Sequence, residues 1–287
     1  MTPRSPLWPA QLDHFRIDTD DPPPLVAFYE GALGMVAAPL DDGTVLMQGP
    51  GRRLVIGRGV RGAQPFLAFK VQTDHQLDAL RRHVIDRGLK PLPSPSRVFA
   101  NGAFAVCDPD GRLVVFGRPR AELASVEPRS ASSAARLPGR LQHVVVASSN
   151  LPPMLRFYEE DLGFVVSDYV LEDGERTVGF FRSDPEHHSF AVFRCPETRP
   201  DHHAYETTCW NDIRDWADHL ATLDIKLWWG PGRHGPGNNL FFMVKDPQDY
   251  LVEISAEIEV VPDEVSERTW KHEERTLNLW GSAFMRS

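Results

Sequence analysis

The sequence predicts an α+β fold of two tandem modules, each a pair of βαβββ units that form a curved, mostly antiparallel sheet. The main evidence is an internal repeat, in which a strand motif, a Phe-Tyr-Glu helix motif and a Leu-Gly pair recur in the same order. Constant spacing over two long stretches indicates a duplicated unit. The spacing is the same for three matched pairs of residues: His14 and His143, Phe28 and Phe157, and Gly34 and Gly163.

Each copy of the repeat reads as a strand, a helix and several short strands, and the same order then recurs within the copy. One βαβββ unit cannot cover its own sheet face, so the two units of a copy must pack against each other. Each copy closes with two strands joined by an Asp-Pro turn. The matched segments are the strands at 12–17 and 141–146, the helices at 74–87 and 211–223, and the turns at Asp108 and Asp246.

The repeat also predicts the limits of the domains. The N-terminal module is expected at residues 1–120 and the C-terminal module at 140–260. Residues 121–139 contain Ser-Ala-Ser-Ser-Ala-Ala and are predicted to form a linker. Residues 261–287 form a polar tail with two tryptophans, which are expected to fold it back onto the body, where it could act as a lid.

Composition excludes several classes of protein. The chain has 287 residues and a net charge of -9 with no basic stripe, which argues against binding to nucleic acid or to an acidic membrane. No apolar run approaches the length of a membrane span, and the N-terminus lacks the apolar core of a secretory signal. Three cysteines without metal-knuckle spacing indicate reduced thiols in a cytoplasmic protein.

Glu253 is the first sign of a functional site. It lies in a strand that is otherwise apolar and follows a glycine-rich loop that ends in His234. A carboxylate in a buried strand is costly unless it is paired or bound to a cation. Seven of the 11 histidines lie between His143 and His234, all in the second copy of the repeat.

Comparison of the two copies predicts that only the second binds a metal. His203 corresponds to Leu67 and Glu253 to Val115, while His143 is matched by a histidine in the first copy. Two imidazoles and one carboxylate on separate strands form the facial triad that binds non-haem Fe(II) and leaves positions open for substrate and O2. Each residue alone also has an ordinary explanation: a structural strand histidine, a surface histidine or a glutamate paired with an arginine.

At these residues the chain resembles the type I extradiol ring-cleaving catechol dioxygenases, within the vicinal-oxygen-chelate (glyoxalase, bleomycin resistance and dioxygenase) superfamily. The resemblance runs from about Leu12 to the tail. It implies a metal-free N-terminal module, a catalytic C-terminal module, and a homo-oligomer. The motifs that carry it are Leu141-Gln142-His143, His187-His188-Ser189-Phe190-Ala191-Val192, His202-His203-Ala204, Gly230-Pro231-Gly232-Arg233-His234-Gly235 and Asp246-Pro247 leading to Glu253.

The resemblance also implies roles for individual residues. His143, His203 and Glu253 fall on the metal ligands for Fe(II), with Mn(II) as the possible replacement. His188 falls on the acid–base histidine, and the spacing favours it over its neighbour His187. His234 falls on a second active-site histidine that contacts the substrate.

Position 243 departs from the family pattern, which commonly has a tyrosine ten positions before the glutamate ligand. Met243 lacks the hydroxyl, so a more apolar substrate pocket is expected. Val145 and Phe180 are expected to add to that apolar wall. The alternative for each is an ordinary core residue.

The function implied is extradiol (meta) cleavage of a catechol-type aromatic diol by O2. Two rivals stay open. One is an O2-independent metalloenzyme of the same superfamily, such as an isomerase, lyase or glyoxalase-like protein. The other is a non-catalytic protein that binds an apolar ligand, which Met243 keeps plausible.

Overall fold

The structure is a computed structural model that describes residues 5–124, 132–262 and 265–285. Residues 125–131 of the predicted linker, and residues 1–4, 263–264 and 286–287, lie outside the described residues. The predicted domain limits therefore stay a prediction. In the part of the chain that is described, no helix is long and apolar enough to cross a membrane.

The first module is an eight-stranded sheet with the strand order β2-β3-β4-β1-β5-β8-β7-β6. Its two βαβββ units meet where β1 and β5 pair antiparallel at the centre. The elements are β1 (Ala10–Thr19), α1 (Pro22–Leu33), β2 (Val36–Pro39), β3 (Val45–Gly49), β4 (Arg52–Arg58), β5 (Phe66–Val71), α2 (Asp74–Asp86), β6 (Leu92–Pro93), β7 (Phe104–Cys107) and β8 (Leu113–Gly117). A short helix, α3 (Ala121–Ala124), and a 3-10 turn, Ser133–Arg136, follow.

The second module repeats this plan in a nine-stranded sheet with the order β14-β15-β16-β13-β9-β12-β11-β10-β17. The ninth strand comes from the tail, which folds back and pairs in parallel with β10. The elements are β9 (Arg140–Ser148), α4 (Leu151–Arg156) with a π turn at Phe157–Asp161, β10 (Val165–Glu172), β11 (Glu175–Arg182), β12 (Phe190–Arg194), β13 (Arg199–Thr207), α5 (Trp210–Ala221), β14 (Trp229–Arg233), β15 (Leu240–Lys245), β16 (Leu251–Ala256), β17 (Arg268–Lys271) and α6 (Glu274–Leu277).

The predicted α+β architecture of two tandem modules is confirmed, and most strand pairs in both sheets are antiparallel. One local expectation is wrong. The glycine-rich segment before His234 is not a simple loop, because its first part forms the edge strand β14. An edge strand tolerates Pro231 and the flanking glycines, and the register shift between Trp229 and Gly232 accommodates them.

Reciprocal contacts between a tyrosine and an Asp-Pro turn join the two modules. Tyr29, from the Phe-Tyr-Glu motif of the first module, donates its hydroxyl to Asp246 Oδ2 of the second module at 3.5 Å. Tyr158, from the same motif of the second module, donates to Asp108 Oδ2 of the first at 3.2 Å. All four side chains are buried. The motifs that repeat in the sequence are therefore the ones that fasten each copy to the other.

Each of these aspartates also organises its own turn. Asp108 Oδ1 accepts the backbone N–H groups of Asp110 and Arg112, and Asp246 Oδ1 accepts those of Gln248 and Tyr250. One carboxylate thus fixes the turn with one oxygen and receives the tyrosine of the other module with the second. Burial raises the pKa of Asp246 to about 6.

We expect Tyr158→Phe to lower the free energy of unfolding by about 2 kcal/mol, because a buried hydroxyl that donates to a carboxylate is lost. Tyr29→Phe should cost less than half as much, since its hydrogen bond is longer. Urea unfolding at pH 7.5 measures both. Equal losses, or no loss from Tyr158→Phe, would contradict the reciprocal contact.

Candidate metal centre

Three buried side chains of the second module meet in one place. His143 on β9, His202 on β13 and Glu253 on β16 each offer a ligand atom, and these atoms all lie within 4.8 Å of one another. His143 Nε2 is 3.3 Å from His202 Nε2. Glu253 Oε2 is 3.4 Å from His202 Nε2, and Glu253 Oε1 is 4.0 Å from His143 Nε2. Among the described residues, this is the group of histidine and acidic side chains suited to a metal ion.

A β-bulge precedes each of the two histidines. The pairing of β9 with β13 skips one residue on each strand, Asp201 before His202 and Gln142 before His143. A bulge re-aims the adjoining side chain. Here each bulged residue accepts a hydrogen bond from Nδ1 of the histidine that follows it, at 2.7 Å for Asp201 and through Oε1 for Gln142.

These hydrogen bonds fix the tautomer of both imidazoles. A carboxylate or an amide oxygen can only accept, so each Nδ1 carries the proton and each Nε2 keeps its lone pair. Burial first, and then the neighbouring imidazoles of His188 and His202, hold the pKa of His143 well below its usual range. A histidine that ligates a metal commonly has this arrangement, with its other nitrogen bonded to a carboxylate or carbonyl group.

The donor set fits a divalent cation. Two lone pairs face each other 3.3 Å apart beside a carboxylate, which is repulsive unless a positive charge lies between them. Two nitrogens bound cis to one ion at about 2.1 Å lie about 3 Å apart, close to the observed distance. Glu253 Oε1 accepts from Asn239 Nδ2 at 3.2 Å, whereas the buried Oε2 has no hydrogen-bond partner among the described residues. Two imidazoles and one carboxylate match the facial triad predicted from the sequence.

One predicted ligand is corrected: the structure brings His202, and not His203, to this site. Successive side chains of a strand point to opposite faces. His203 therefore faces the other module, where its ring lies 4.7 Å from that of Phe15 and stacks on Tyr250 at 5.2 Å. It is fully buried, and neither ring nitrogen has a hydrogen-bond partner within the described ranges.

The reason for the error lies in the face chosen for comparison. His203 does correspond to Leu67, but Leu67 belongs to the main core, on the helix side of the sheet. The inward positions of the first module are Phe66 and Val115, which pack in a separate apolar cluster. The residue that corresponds to His202 is Phe66. The sequence did contain a usable signal, because Asp201-His202 repeats the Asp-His pair at positions 13 and 14.

The corresponding place in the first module is closed by its own hydrogen bonds. His14 Nδ1 lies 2.7 Å from Asp13 Oδ2, and His14 Nε2 lies 2.7 Å from Ser96 Oγ. Both nitrogens are therefore occupied, and the rings of Phe66 and Phe99 pack edge-on against the imidazole. Neither ring nitrogen of His14 is therefore left for a metal, and the metal-free first module stays a prediction.

An apolar cavity of about 80 Å³ adjoins the two histidine ligands, His143 and His202. A water needs on the order of 10–15 Å³, so there is room for a small ring or several waters. The tail closes one side of this cavity with Thr276 and Leu277. The other lining residues are His143, Val145, Val178, Phe180, His188, Ala191, Phe193, His202, Trp229, His234 and Pro236.

The structure therefore places five of the predicted site residues at the cavity: His143, His188, His234, Val145 and Phe180. Met243 is the exception. It lies opposite Glu253 in the β15–β16 register, but it is fully buried in a cluster with Trp229 and Phe241 and is not among the lining residues. The Met243 side chain fills the core next to the cavity. A sequence pattern cannot distinguish a residue that packs there from one that lines the cavity.

The two additional histidines of the cavity are held in defined orientations. His234 donates from Nδ1 to the Leu277 carbonyl at 2.5 Å and stacks on Phe241 at 3.8 Å, so its Nε2 is directed towards Glu253 Oε2, 3.7 Å away. The ring of His188 lies 4.4 Å from that of His143. Burial, and then the charges of the surrounding histidines, place the pKa of His188 well below its usual range, so it is a neutral base at pH 7.

Comparison with known proteins agrees with this geometry. The model of the Glyoxalase/Bleomycin resistance protein/Dioxygenase superfamily matches residues 11–116 and 140–254. The chain belongs to this superfamily. The two matched segments correspond to the two sheets described above.

Two curated relatives match part of this chain. Metapyrocatechase 2 of Cupriavidus necator is 32% identical over 44% of this chain and 39% of its own length. The manganese-dependent 2,3-dihydroxybiphenyl 1,2-dioxygenase of Geobacillus genomosp. 3 is 33% identical over 38% of this chain and 36% of its own length. The matched part is thus less than half the length of either relative.

A solved structure shows the same fold over almost the whole molecule. The Mn(II)-bound glyoxalase from Novosphingobium aromaticivorans has a TM-score of 0.79 and 24% identity, covering 94% of this chain and 90% of that chain. At this identity the likeness concerns the fold alone.

We expect His202→Ala to remove stoichiometric metal binding, and His203→Leu to retain it. Leucine is the residue at the matched position of the first module, and it removes two unpaired buried nitrogens, so His203→Leu should raise the free energy of unfolding by about 1–3 kcal/mol. Metal analysis by mass spectrometry and thermal unfolding of both variants provide the measurement. Loss of metal from His203→Leu with retention in His202→Ala would reverse the assignment.

Proposed function

We propose that this protein cleaves the ring of a catechol-type aromatic diol by extradiol insertion of O2, at Fe(II) or Mn(II) held by His143, His202 and Glu253. The observation that supports it most is the convergence of two Nε2 lone pairs and a buried carboxylate on an apolar cavity that also contains a neutral histidine base. The names of the curated relatives support the same reaction.

The metal supplies the redox chemistry that side chains lack, because a facial triad leaves positions at which a diol and O2 can both bind. The donor set of two imidazoles and one carboxylate suits Fe(II). The Geobacillus relative is manganese-dependent by name, so Mn(II) is the alternative to Fe(II) in this proposal.

His188 is the residue suited to move protons. It is neutral when buried here, and its ring lines the cavity beside His143, so a hydroxyl of a bound diol can pass a proton to it. The protonated ring would return that proton to the substrate later in the reaction. Because burial lowers the pKa of His188 and favours its neutral form, the protonated ring gives the proton up readily.

His234 is the residue suited to orient the substrate. Its Nδ1 is committed to the Leu277 carbonyl, so only Nε2 is available to the cavity as an acceptor from a substrate hydroxyl. Because the tail provides that carbonyl, folding of the tail and orientation of His234 are coupled.

The cavity wall favours a diol with an uncharged, apolar substituent. Val145, Val178, Phe180, Phe193 and Trp229 supply much of the wall, and no lysine or arginine is among the described lining residues. A substituent with a carboxylate would lose its hydration without gaining a cationic partner. Alkyl- and aryl-substituted catechols are diols with such an uncharged, apolar substituent.

The rival with a specific observation in its favour is an O2-independent metalloenzyme, because a Mn(II)-bound glyoxalase has the same fold. The two proposals differ in whether O2 is consumed. A protein that only binds an apolar ligand would show neither reaction, but it would be stabilised by a catechol without turnover.

Assembly into a homo-oligomer stays a prediction. Trp280 and Phe284 of the tail are about half exposed, at 52% and 49%, which is unusual for aromatic side chains of this size. Size-exclusion chromatography with light scattering decides the oligomeric state, and a monomer would contradict the prediction.

We expect the iron-loaded protein to consume one O2 per 3-alkylcatechol and to form a yellow ring-opened oxo acid. His188→Asn should lower kcat roughly 100–10,000-fold because the proton carrier is lost. The exposed His75 on α2 provides the control, and His75→Asn should match the wild-type protein. An oxygen electrode and absorbance of the product measure both. No O2 uptake with any alkyl-, aryl- or bicyclic catechol would end this proposal.

A further inference from the structure

His187, the neighbour of the cavity base, is fully buried and takes no part in the site described above. We propose that His187, held by Asp168 and by the tail strand β17, is a positioning residue that fixes the ring orientation and the tautomer of His188. This inference rests on the proposed function only for the role of His188 as the base. It concerns residues outside the three metal ligands.

The first of these contacts joins the rings of His187 and His188. His187 Nδ1 lies 2.9 Å from His188 Nδ1, and the ring planes are nearly perpendicular, at 89°. His187 itself is anchored through its backbone, because its N–H donates to the Glu259 carbonyl at 2.8 Å and its carbonyl accepts from the buried hydroxyl of Ser167. The loop between β11 and β12 therefore cannot rotate His187 freely.

The second contact joins His187 to a carboxylate. His187 Nε2 lies 3.0 Å from Asp168 Oδ2, an ion-pair contact and not an aligned hydrogen bond, and both side chains are fully buried. Asp168 also accepts from Arg268 Nε at 2.8 Å and from Trp270 Nε1 at 2.6 Å. Both of these donors belong to β17, so the tail supplies most of the groups that hold Asp168 in place.

Asp168 is ionised in this environment. Burial opposes its ionisation, but the contacts with His187, Arg268 and Trp270 outweigh burial and lower the pKa of the carboxyl group. Arg268 is in turn bound to Glu259 at 2.7 Å, which keeps the guanidinium aligned with Asp168.

The position of this negative charge determines the tautomers. An ionised carboxylate next to Nε2 of His187 favours the proton on that nitrogen, which leaves Nδ1 of neutral His187 as an acceptor. His188 must then donate its Nδ1–H to His187, and Nε2 of His188 keeps its lone pair. This is the tautomer in which His188 can accept a proton from a ligand in the cavity.

The module fold alone does not require this chain of contacts. At the constant spacing of the repeat, the first module has Pro39 in place of Asp168. The first module also lacks a counterpart of β17 among the described strands. Asp168, His187 and the tail strand thus occur together in the module with the cavity base, which is expected if they serve that base.

A pair of variants separates positioning from packing. His187→Leu removes both ring nitrogens, whereas His187→Gln keeps an amide that can accept from His188 and donate to Asp168. We expect His187→Leu to lower kcat roughly 10–100-fold, the usual effect of losing a supporting partner of a functional group. Metal content, and the dissociation constant of an alkylcatechol measured without O2, should stay within about twofold. His187→Gln should recover most of the lost kcat, and only His187→Leu should displace the pH profile of kcat.

The tail provides a matched pair of tryptophan variants. Trp270→Phe removes the N–H that binds Asp168 and keeps an aromatic ring, and it should reduce kcat in the same manner but less than His187→Leu. Trp280, on the same tail, packs against Trp210 at 5.9 Å, away from Asp168, so Trp280→Phe should match the wild-type protein. Equal effects of the two substitutions would mean that the tail acts only through general stability.

Nitrogen-15 NMR of histidine-labelled, zinc-loaded protein tests the tautomer without turnover. We expect His188 to carry its proton on Nδ1 in the wild-type protein and to become a mixture of tautomers in His187→Leu. Protonation of His188 on Nε2 in the wild-type protein would overturn the inference, as would unchanged kcat and pH profile in His187→Leu. Absence of ring cleavage by the wild-type protein would instead defeat the proposed function and leave the NMR result to decide the role of His187.

Discussion

The site depends on a buried negative charge that the protein does not neutralise by itself. Glu253 is fully buried, only one of its oxygens accepts a hydrogen bond from a described residue, and two imidazole lone pairs face it. An isolated carboxylate in such surroundings would destabilise the fold. A divalent cation resolves this, and the strands β9, β13 and β16 are the framework that brings its three ligands together.

Two β-bulges orient the histidine ligands on these strands. Each bulged residue, Gln142 or Asp201, lies next to the histidine that it orients, so the acceptor for the histidine Nδ1–H needs no separate element. Asp13 and His14 show the same pairing in the first module, where Ser96 takes the nitrogen that a metal would need. Both modules therefore orient an imidazole through the bulged residue before it. The Nε2 atom faces a serine hydroxyl in the first module and the other candidate metal ligands in the second.

Much of this architecture was accessible from sequence, because duplication supplies an internal comparison. The repeated Phe-Tyr-Glu and Asp-Pro motifs predicted the pair of βαβββ units in each module. Glu253 was identified as a carboxylate in an apolar strand, and His143 from its place in the repeat and in the family motif. His202 was missed because it is adjacent to His203. A sequence pattern cannot choose between two neighbouring histidines until it is known which one points to the site face of the strand. Contacts between distant segments, such as Asp168 with Trp270, have no local signature, since both residues are ordinary in their own surroundings.

The reciprocal contacts of Tyr29 and Tyr158 have a consequence for how this chain can change over time. Each half completes a turn of the other, so neither can be exchanged for the half of a distant homologue without losing a buried partner at both ends of the joint. Shuffling of halves by recombination would be selected against even where each half is well formed. The first module therefore has a structural role for the second that does not depend on metal ligands of its own.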